Sequence, residues 1–249
     1  MKKAALITGG AKRIGAELAL FLAKKGYDIA IAYNRSKEDA QKIGREIAKH
    51  GSRCEIFKSD FSKVEEASRL VPKVFKKFPH ISLLINNASV FERSLISDTT
   101  LELLDRAISI NFKTPFILSR DFARLCQTGN IINILDARIT SNRSTYAAYS
   151  LSKKALAELT RMAAVEFAPK IRVNGIAPGL ILPPAGKNKR YLEKLALNIP
   201  LQKKGSVENI KSALQFLLEN DYVTGQIIFC DGGEHLQRLH FGGSVPNLA

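Results

Sequence analysis

The chain has 249 residues, 45% of them apolar and 24% charged, enough at roughly 150 residues per domain for one α/β domain with a full core. These proportions exclude the disordered, collagen-like and disulfide-scaffold classes. Lysine and arginine number 38 against 23 acidic residues, a formal charge of +15 that admits nucleic acid, a phosphorylated cofactor or an acidic substrate or carrier without choosing among them. No apolar window approaches 18 residues, and Met1-Lys2-Lys3 runs straight into Ala4–Thr8, too short for a signal h-region, so neither a membrane span nor secretion is expected. Cys54, Cys126 and Cys230 are an odd count without CxxC or CxxH spacing, so no metal site is indicated and a reducing, cytoplasmic setting fits.

Apolar β-rich runs alternate with helical patterns along the chain, as in βαβ units that build a parallel sheet covered on both faces. Strands are expected at 4–8, 28–33, 53–58, 81–85, 129–135, 171–177 and 226–230. Helices are expected at 14–25, 38–49, 63–77, 101–126, 147–168 and 207–219, with 3.6-residue spacing such as Ile14, Leu18, Phe21 and Leu22. The only long irregular segment is 178–205, holding Pro178, Gly179, Pro183, Pro184 and Gly186, and a loop of that length in a compact domain reads as a lid over a site.

The first strand ends in Thr8-Gly9-Gly10-Ala11-Lys12-Arg13-Ile14-Gly15 and enters an amphipathic helix. Small residues permit the tight turn, Gly15 lets the helix approach the sheet, and the free N–H groups of the helix start attract a pyrophosphate. Gly9, Arg13, Ile14 and Gly15 are therefore candidate dinucleotide ligands. Arg13 occupies a position often held by a middle glycine; its guanidinium either rests on phosphate or is solvated. The second strand ends in Tyr33-Asn34-Arg35-Ser36, with no carboxylate before Glu38. A carboxylate there would take the ribose 2′-OH, whereas Asn34, Arg35 and Ser36 suit a 2′-phosphate, so the expected cofactor is NADPH/NADP. Asp60, after the third strand, is a candidate for the adenine amino group or for a helix N-cap.

Tyr149 and Lys153 stand at i and i+4 on one helix face. An ammonium beside a phenol favours the phenolate and would bring its pKa down toward the range of a working proton donor and acceptor.

With Asn86-Asn87-Ala88 after the fourth strand, Asn111, and Pro178-Gly179, these motifs resemble the short-chain dehydrogenase/reductase family over about 1–235. The resemblance implies a single Rossmann-type α/β domain with a doubly wound seven-stranded sheet, a substrate lid at about 180–205, and a homo-oligomer, usually a homotetramer. It gives Tyr149 as acid/base, Lys153 as the residue that holds the ribose and lowers the phenol's pKa, Asn111 as orienter of a water chain, and Asn87, Ala88, Pro178 and Gly179 as cofactor contacts. A hydroxyl residue usual shortly after Pro-Gly is missing, since Leu180 and Ile181 follow. Segment 236–249 is expected to be a tail beyond the domain.

A second departure carries more information. The family's usual serine lies 13 positions before the tyrosine, where this chain has Asp136. A carboxylate cannot imitate a hydroxyl that polarises a carbonyl; it accepts hydrogen bonds from an amino-substituted heterocycle, or donates a proton to a ring nitrogen if its own pKa is raised. Asp136, Arg13, Asn34-Arg35-Ser36 and Asn87-Ala88-Ser89-Val90-Phe91 together resemble the pteridine reductase subgroup, which implies NADPH-dependent reduction of a pterin or folate with Ser89, Phe91, Asp136 and Tyr149 at the substrate. In that subgroup the residue matching Phe91 stacks on the pterin; read from the residue alone, Phe91 is equally a core-facing loop aromatic. The competing enzymatic reading is a 3-oxoacyl-carrier or other carbonyl reductase of the same family.

A non-enzymatic NADPH sensor or nucleic-acid-binding protein is a third reading, opposed by Asn111, Tyr149 and Lys153 and by basic residues spread without aromatic interleaving; no nucleic-acid partner is expected. The lid carries Lys187, Lys189, Arg190, Lys194, Lys203 and Lys204 against Glu193 alone, either an attractor for a folate glutamate tail or an acidic carrier protein, or a solvated face. His50, His80, His235 and His240 form no motif and are expected at the surface.

Overall fold

The computed structural model describes residues 2–184, 186 and 188–237. Seven parallel strands, β1 (Ala4–Thr8), β2 (Asp28–Tyr33), β3 (Cys54–Lys58), β4 (Ile81–Asn86), β5 (Gly129–Ile134), β6 (Ile171–Pro178) and β7 (Ile227–Cys230), lie in the order β3-β2-β1-β4-β5-β6-β7. The order reverses between β1 and β4, which opens a crevice at their C-terminal ends. Every residue of β1 and β2 is buried, and this explains why they read as continuous apolar runs: a parallel sheet covered on both faces has no solvent side to alternate with.

The two faces sort by strand period. Ala5 and Ile7 pack with Leu18 and Leu22 of α1 (Arg13–Lys24), Ile47 of α2 (Lys37–Ala48) and Leu214 of α8 (Val207–Glu219). Ala4 and Leu6 point the other way, onto Val71 and Val74 of α3 (Val64–Lys77), Phe122 of α5 (Thr114–Leu125) and Ala163 of α6 (Ala147–Glu166).

Two helical expectations are corrected. The stretch 101–126 is not one α-helix: α4 (Leu101–Ile108) and α5 are joined by a π-helical turn, Ser109–Lys113. One extra residue turns the apolar stripe by about 100°, but Ile108, Ile110, Phe112, Phe116 and Ile117 set apolar side chains on several sides of the junction, so periodicity conceals it. The segment 178–205 is not wholly irregular either, since Asn188 caps α7 (Lys189–Ala196), accepting a hydrogen bond from Tyr191 N at 3.2 Å, and Leu192 and Ala196 are buried. Residues 238–249, with His240, and Lys187 lie outside the described residues. Among the described residues no helix is long and apolar enough to cross a membrane.

Candidate active site

The β1–α1 turn is built so that an anion and a backbone can both approach it. Gly9 has φ +64°, and a Cβ on Gly15 would overlap Gly9 O and stand 2.5 Å from Asn87 Nδ2, so only glycine closes this turn. Arg13 also adopts a left-handed φ, +54°, which explains why glycine is so often found at its position. No side chain caps α1 and its first turn holds no acidic residue, leaving the N–H groups and positive dipole free for phosphate. Asn87 braces the turn from β4: its Nδ2 donates to Thr8 O at 2.9 Å and Gly9 O at 3.3 Å, while Asn87 N and Ala88 N both donate to Thr8 Oγ1 at 2.9 and 3.0 Å. Arg13 is exposed, and its Nη2 donates to Pro183 O at 2.9 Å, tying the turn to the lid.

From this turn a cleft of about 390 Å³ runs across the sheet ends to Leu192 and Leu195. It brings together Gly9, Arg13, Ile14, Gly15, Asn87, Ala88, Ser89, Phe91, Asp136, Tyr149, Lys153, Pro178 and Gly179, residues scattered over 170 positions of sequence. Asn34, Arg35, Ser36 and Asp60 do not line it. They stand just beyond the ends of β2 and β3, with Arg35 exposed. Ser36 occupies the N-cap position of α2 without a side-chain cap bond. Asp60 is not the cap of α3, whose N-cap is Lys63; its carboxylate accepts from Ser62 Oγ at 2.8 Å and Ser62 N at 3.1 Å in an Asx turn, and these bonds, the hydroxyl's foremost, hold its pKa below the usual value.

At the other end of the cleft the Tyr149 hydroxyl donates to Asp136 Oδ2 at 2.6 Å, and Arg138 N donates to Asp136 Oδ1 at 2.8 Å. Lys153 Nζ donates to Ile134 O at 2.7 Å and lies 5.9 Å from the Tyr149 ring centroid. The expectation that Lys153 lowers the phenol's pKa is therefore reversed. Burial, then the charge and hydrogen bond of Asp136, push Tyr149 well up, because the carboxylate touches the phenol and the ammonium does not. Burial also brings Lys153 down to about 8, against the upward pull of Asp136.

Asn111 lies in the π-helical turn. Its Nδ2 donates to Ser152 Oγ at 2.9 Å and Val90 O at 3.1 Å, and its Oδ1 accepts from Val90 N at 3.0 Å. The amide clamps the 87–91 loop to α6. Phe91 is half-buried beside the cleft, not in the core; Tyr146 stacks on one face at 4.3 Å between centroids and 13° between planes, and Tyr149 meets it edge-on at 4.7 Å. Tyr146 and Arg138 were not foreseen, nor were Tyr191, Leu192 and Leu195 of α7, which also line the cleft. An arginine and a tyrosine between Asp136 and Tyr149 were the available signal, but that loop has no period from which to infer a direction.

His235 departs from the surface placement expected of it. Its ring stacks on Phe229 at 3.9 Å, and its Nδ1 lies 2.7 Å from Asp231 Oδ2, which also accepts from His235 N at 2.7 Å. In the lid, Arg190, Lys194 and Lys203 are exposed, as a solvated face requires.

The family model described as Enoyl-(Acyl carrier protein) reductase matches residues 9–235. Uncharacterized oxidoreductase YohF of Escherichia coli strain K12 is 32% identical over 250 residues, covering 97% of this chain and 99% of its own. A crystal structure of FolM Alternative dihydrofolate reductase 1 from Brucella suis in complex with NADP is 33% identical, with a TM-score of 0.90 over 99% of this chain and 98% of that one. Acetoin dehydrogenase YohF from Salmonella typhimurium is 28% identical, with a TM-score of 0.88 over 98% of this chain and 100% of that one. With its glycine turn, crevice and Tyr149–Lys153 pair in place, the chain belongs to the short-chain dehydrogenase/reductase family and is an NAD(P)-dependent oxidoreductase.

Proposed function

We propose that this protein reduces a dihydropterin, turning a ring C=N into CH–NH. The carrying observation is the 2.6 Å contact between Tyr149 and Asp136, a phenol–carboxylate pair where a carbonyl reductase needs two hydroxyl donors. NADP(H) is the cofactor: it fits a turn that a Cβ would fill, an uncapped α1 start and the Arg35–Ser36 pair, and the FolM structure holds NADP. When bound, it supplies the hydride.

The chain's own residues do the rest. Gly9, Ile14, Gly15, Ala88, Pro178 and Gly179 form the wall along which the dinucleotide lies, while Asn34, Arg35 and Ser36 take the 2′-phosphate and Asp60 the adenine side. Each oxygen of Asp136 accepts one bond from protein and keeps a lone pair for the amino group and ring N–H of a pterin. Tyr149, kept protonated by burial and by that carboxylate, is the proton donor to the ring nitrogen. Lys153 stays fixed to Ile134 O below it, and Asn111 fixes the loop that presents Ser89 and Phe91. Phe91, backed by Tyr146, gives the cleft an aromatic wall for a flat ring. A homotetramer in the cytoplasm, a single domain over 1–235 and a tail over 236–249 belong to the same proposal. Dihydrobiopterin reduction by Asp136→Ala should fall by about 100-fold or more, the worth of a positioned acid–base pair; turnover at the wild-type rate would contradict the assignment.

The alternative, a carbonyl reductase, is favoured by the likeness to acetoin dehydrogenase YohF and predicts that serine at 136 costs little.

A further inference from the structure

Among the described residues, four cations line the cleft: Lys12, Arg13, Arg138 and Lys153. Three are already engaged, Lys12 with Asp39 at 2.9 Å, Arg13 with Pro183 O at 2.9 Å and Lys153 with Ile134 O at 2.7 Å. The side chain of Arg138 has no hydrogen bond or ion pair among the described residues. Its guanidinium is held against aromatic rings, 4.8 Å from the Tyr146 centroid and 5.1 Å from that of Phe91. Glu234 senses its charge from beyond ion-pair distance.

A half-buried guanidinium with its five donors uncommitted is a costly arrangement unless something accepts from them. Resting on aromatic rings suits the weakly hydrated guanidinium and fixes its plane while leaving the fork open. The backbone N–H of Arg138 is bonded to Asp136, and its guanidinium rests on the ring of Phe91, which itself meets Tyr149 edge-on at 4.7 Å, so the fork stands beside the acid–base pair.

We propose that Arg138 determines specificity by binding a carboxylate carried outside the reducible ring, so that the favoured substrate is a pterin with an acidic substituent, such as dihydrofolate, over one with a neutral side chain, such as dihydrobiopterin. This rests on the pterin reading above. The ring is held by Asp136 and Tyr149, and its substituent leaves along the wall made by Phe91, Tyr146 and Arg138, where the fork takes both carboxylate oxygens.

The test compares Arg138→Gln and Arg138→Lys with wild type on both substrates. The ratio of kcat/KM for dihydrofolate to that for dihydrobiopterin should fall about 10- to 100-fold in Arg138→Gln, the worth of a charge-assisted bond, with the loss in KM, and Arg138→Lys should restore part of it. An unchanged ratio, whether both substrates lose alike or neither loses, overturns the proposal and leaves Arg138 as a prop for the aromatic wall. A second arm measures calorimetrically the binding of p-aminobenzoylglutamate, which carries the carboxylates without a pterin ring, to the NADP-loaded protein. Binding lost in Arg138→Gln without turnover of either pterin would retain the carboxylate site and refute the pterin reading; binding indifferent to Arg138 overturns the site.

Discussion

Alanine at Gly15 and alanine at Gly44 should shift stability in opposite directions, although both glycines are helical. A Cβ at Gly15 meets Gly9 O and, at 2.5 Å, Asn87 Nδ2, so α1 must back away from the sheet or Asn87 must release the turn. Overpacking of this kind costs about 1–3 kcal/mol, and losing the two Asn87 bonds to Thr8 O and Gly9 O adds about 0.5–1.5 kcal/mol each. The total is roughly 2–6 kcal/mol, and at about 2–4 °C per kcal/mol for a chain of this size the melting temperature should drop by about 4–24 °C. NADPH affinity should fall with it, since the displaced backbone is the phosphate cradle. At Gly44, within α2, the new Cβ meets Cys54 Sγ at 3.5 Å and Cys54 Cβ at 3.9 Å, ordinary contacts, so the helix gains about 0.5–1 kcal/mol from the better helix former. Circular dichroism melts and NADPH fluorescence titration of the two variants provide the assay. Gly15→Ala melting and binding like wild type would refute the close-approach argument.

Other consequences follow from the same geometry. Because burial brings Lys153 down to about 8, its ammonium is present below that pH and lost above it; kcat/KM should decline on the alkaline side with a midpoint near 8, and Lys153→Arg, charged throughout, should abolish that limb. Asp136→Asn removes the charge that pulls Lys153 up, so the limb should move to lower pH; a shift upward would show that the carboxylate does not act on Lys153. Arg35→Ala should raise KM for NADPH about 10- to 100-fold while leaving that for NADH nearly unchanged, measured as the ratio of the two; equal losses would remove Arg35 from 2′-phosphate recognition. Asp231→Ala leaves Gly233 N, His235 N and the His235 ring without their acceptor, and hydrogen exchange should report faster opening of 231–237.

The sheet was legible because its strands are buried on both faces and its connections are amphipathic: all seven strands lie within a residue or so of their expected places, and Thr8–Gly15 announces the crevice at the reversal of strand order. What the sequence concealed are contacts made across chain order. The π-helical turn at Ser109–Lys113 lies among apolar residues on several sides of the helix, which mask its phase shift, and α7 is hidden by its charges, with Leu192 and Ala196 too few to set a period. Arg13 gave no hint of a bond to a carbonyl 170 residues away. The i, i+4 spacing placed Tyr149 and Lys153 on one helix face but did not show Asp136 bonded to the phenol, and it is burial and then Asp136, not Lys153, that push the phenol's pKa. Arg138 and Tyr146 lie in the irregular stretch between Asp136 and α6, where residue type says what chemistry is present but not which way it faces.

The most direct test of the central claim is NADPH oxidation by purified protein with dihydrobiopterin, dihydromonapterin, dihydrofolate and an acetoacetyl thioester, with Asp136→Ser assayed in parallel. The account predicts that wild type turns over at least one pterin and that the serine variant loses this activity. Turnover of the thioester alone, undiminished by serine at 136, would contradict it and place the protein among the carbonyl reductases.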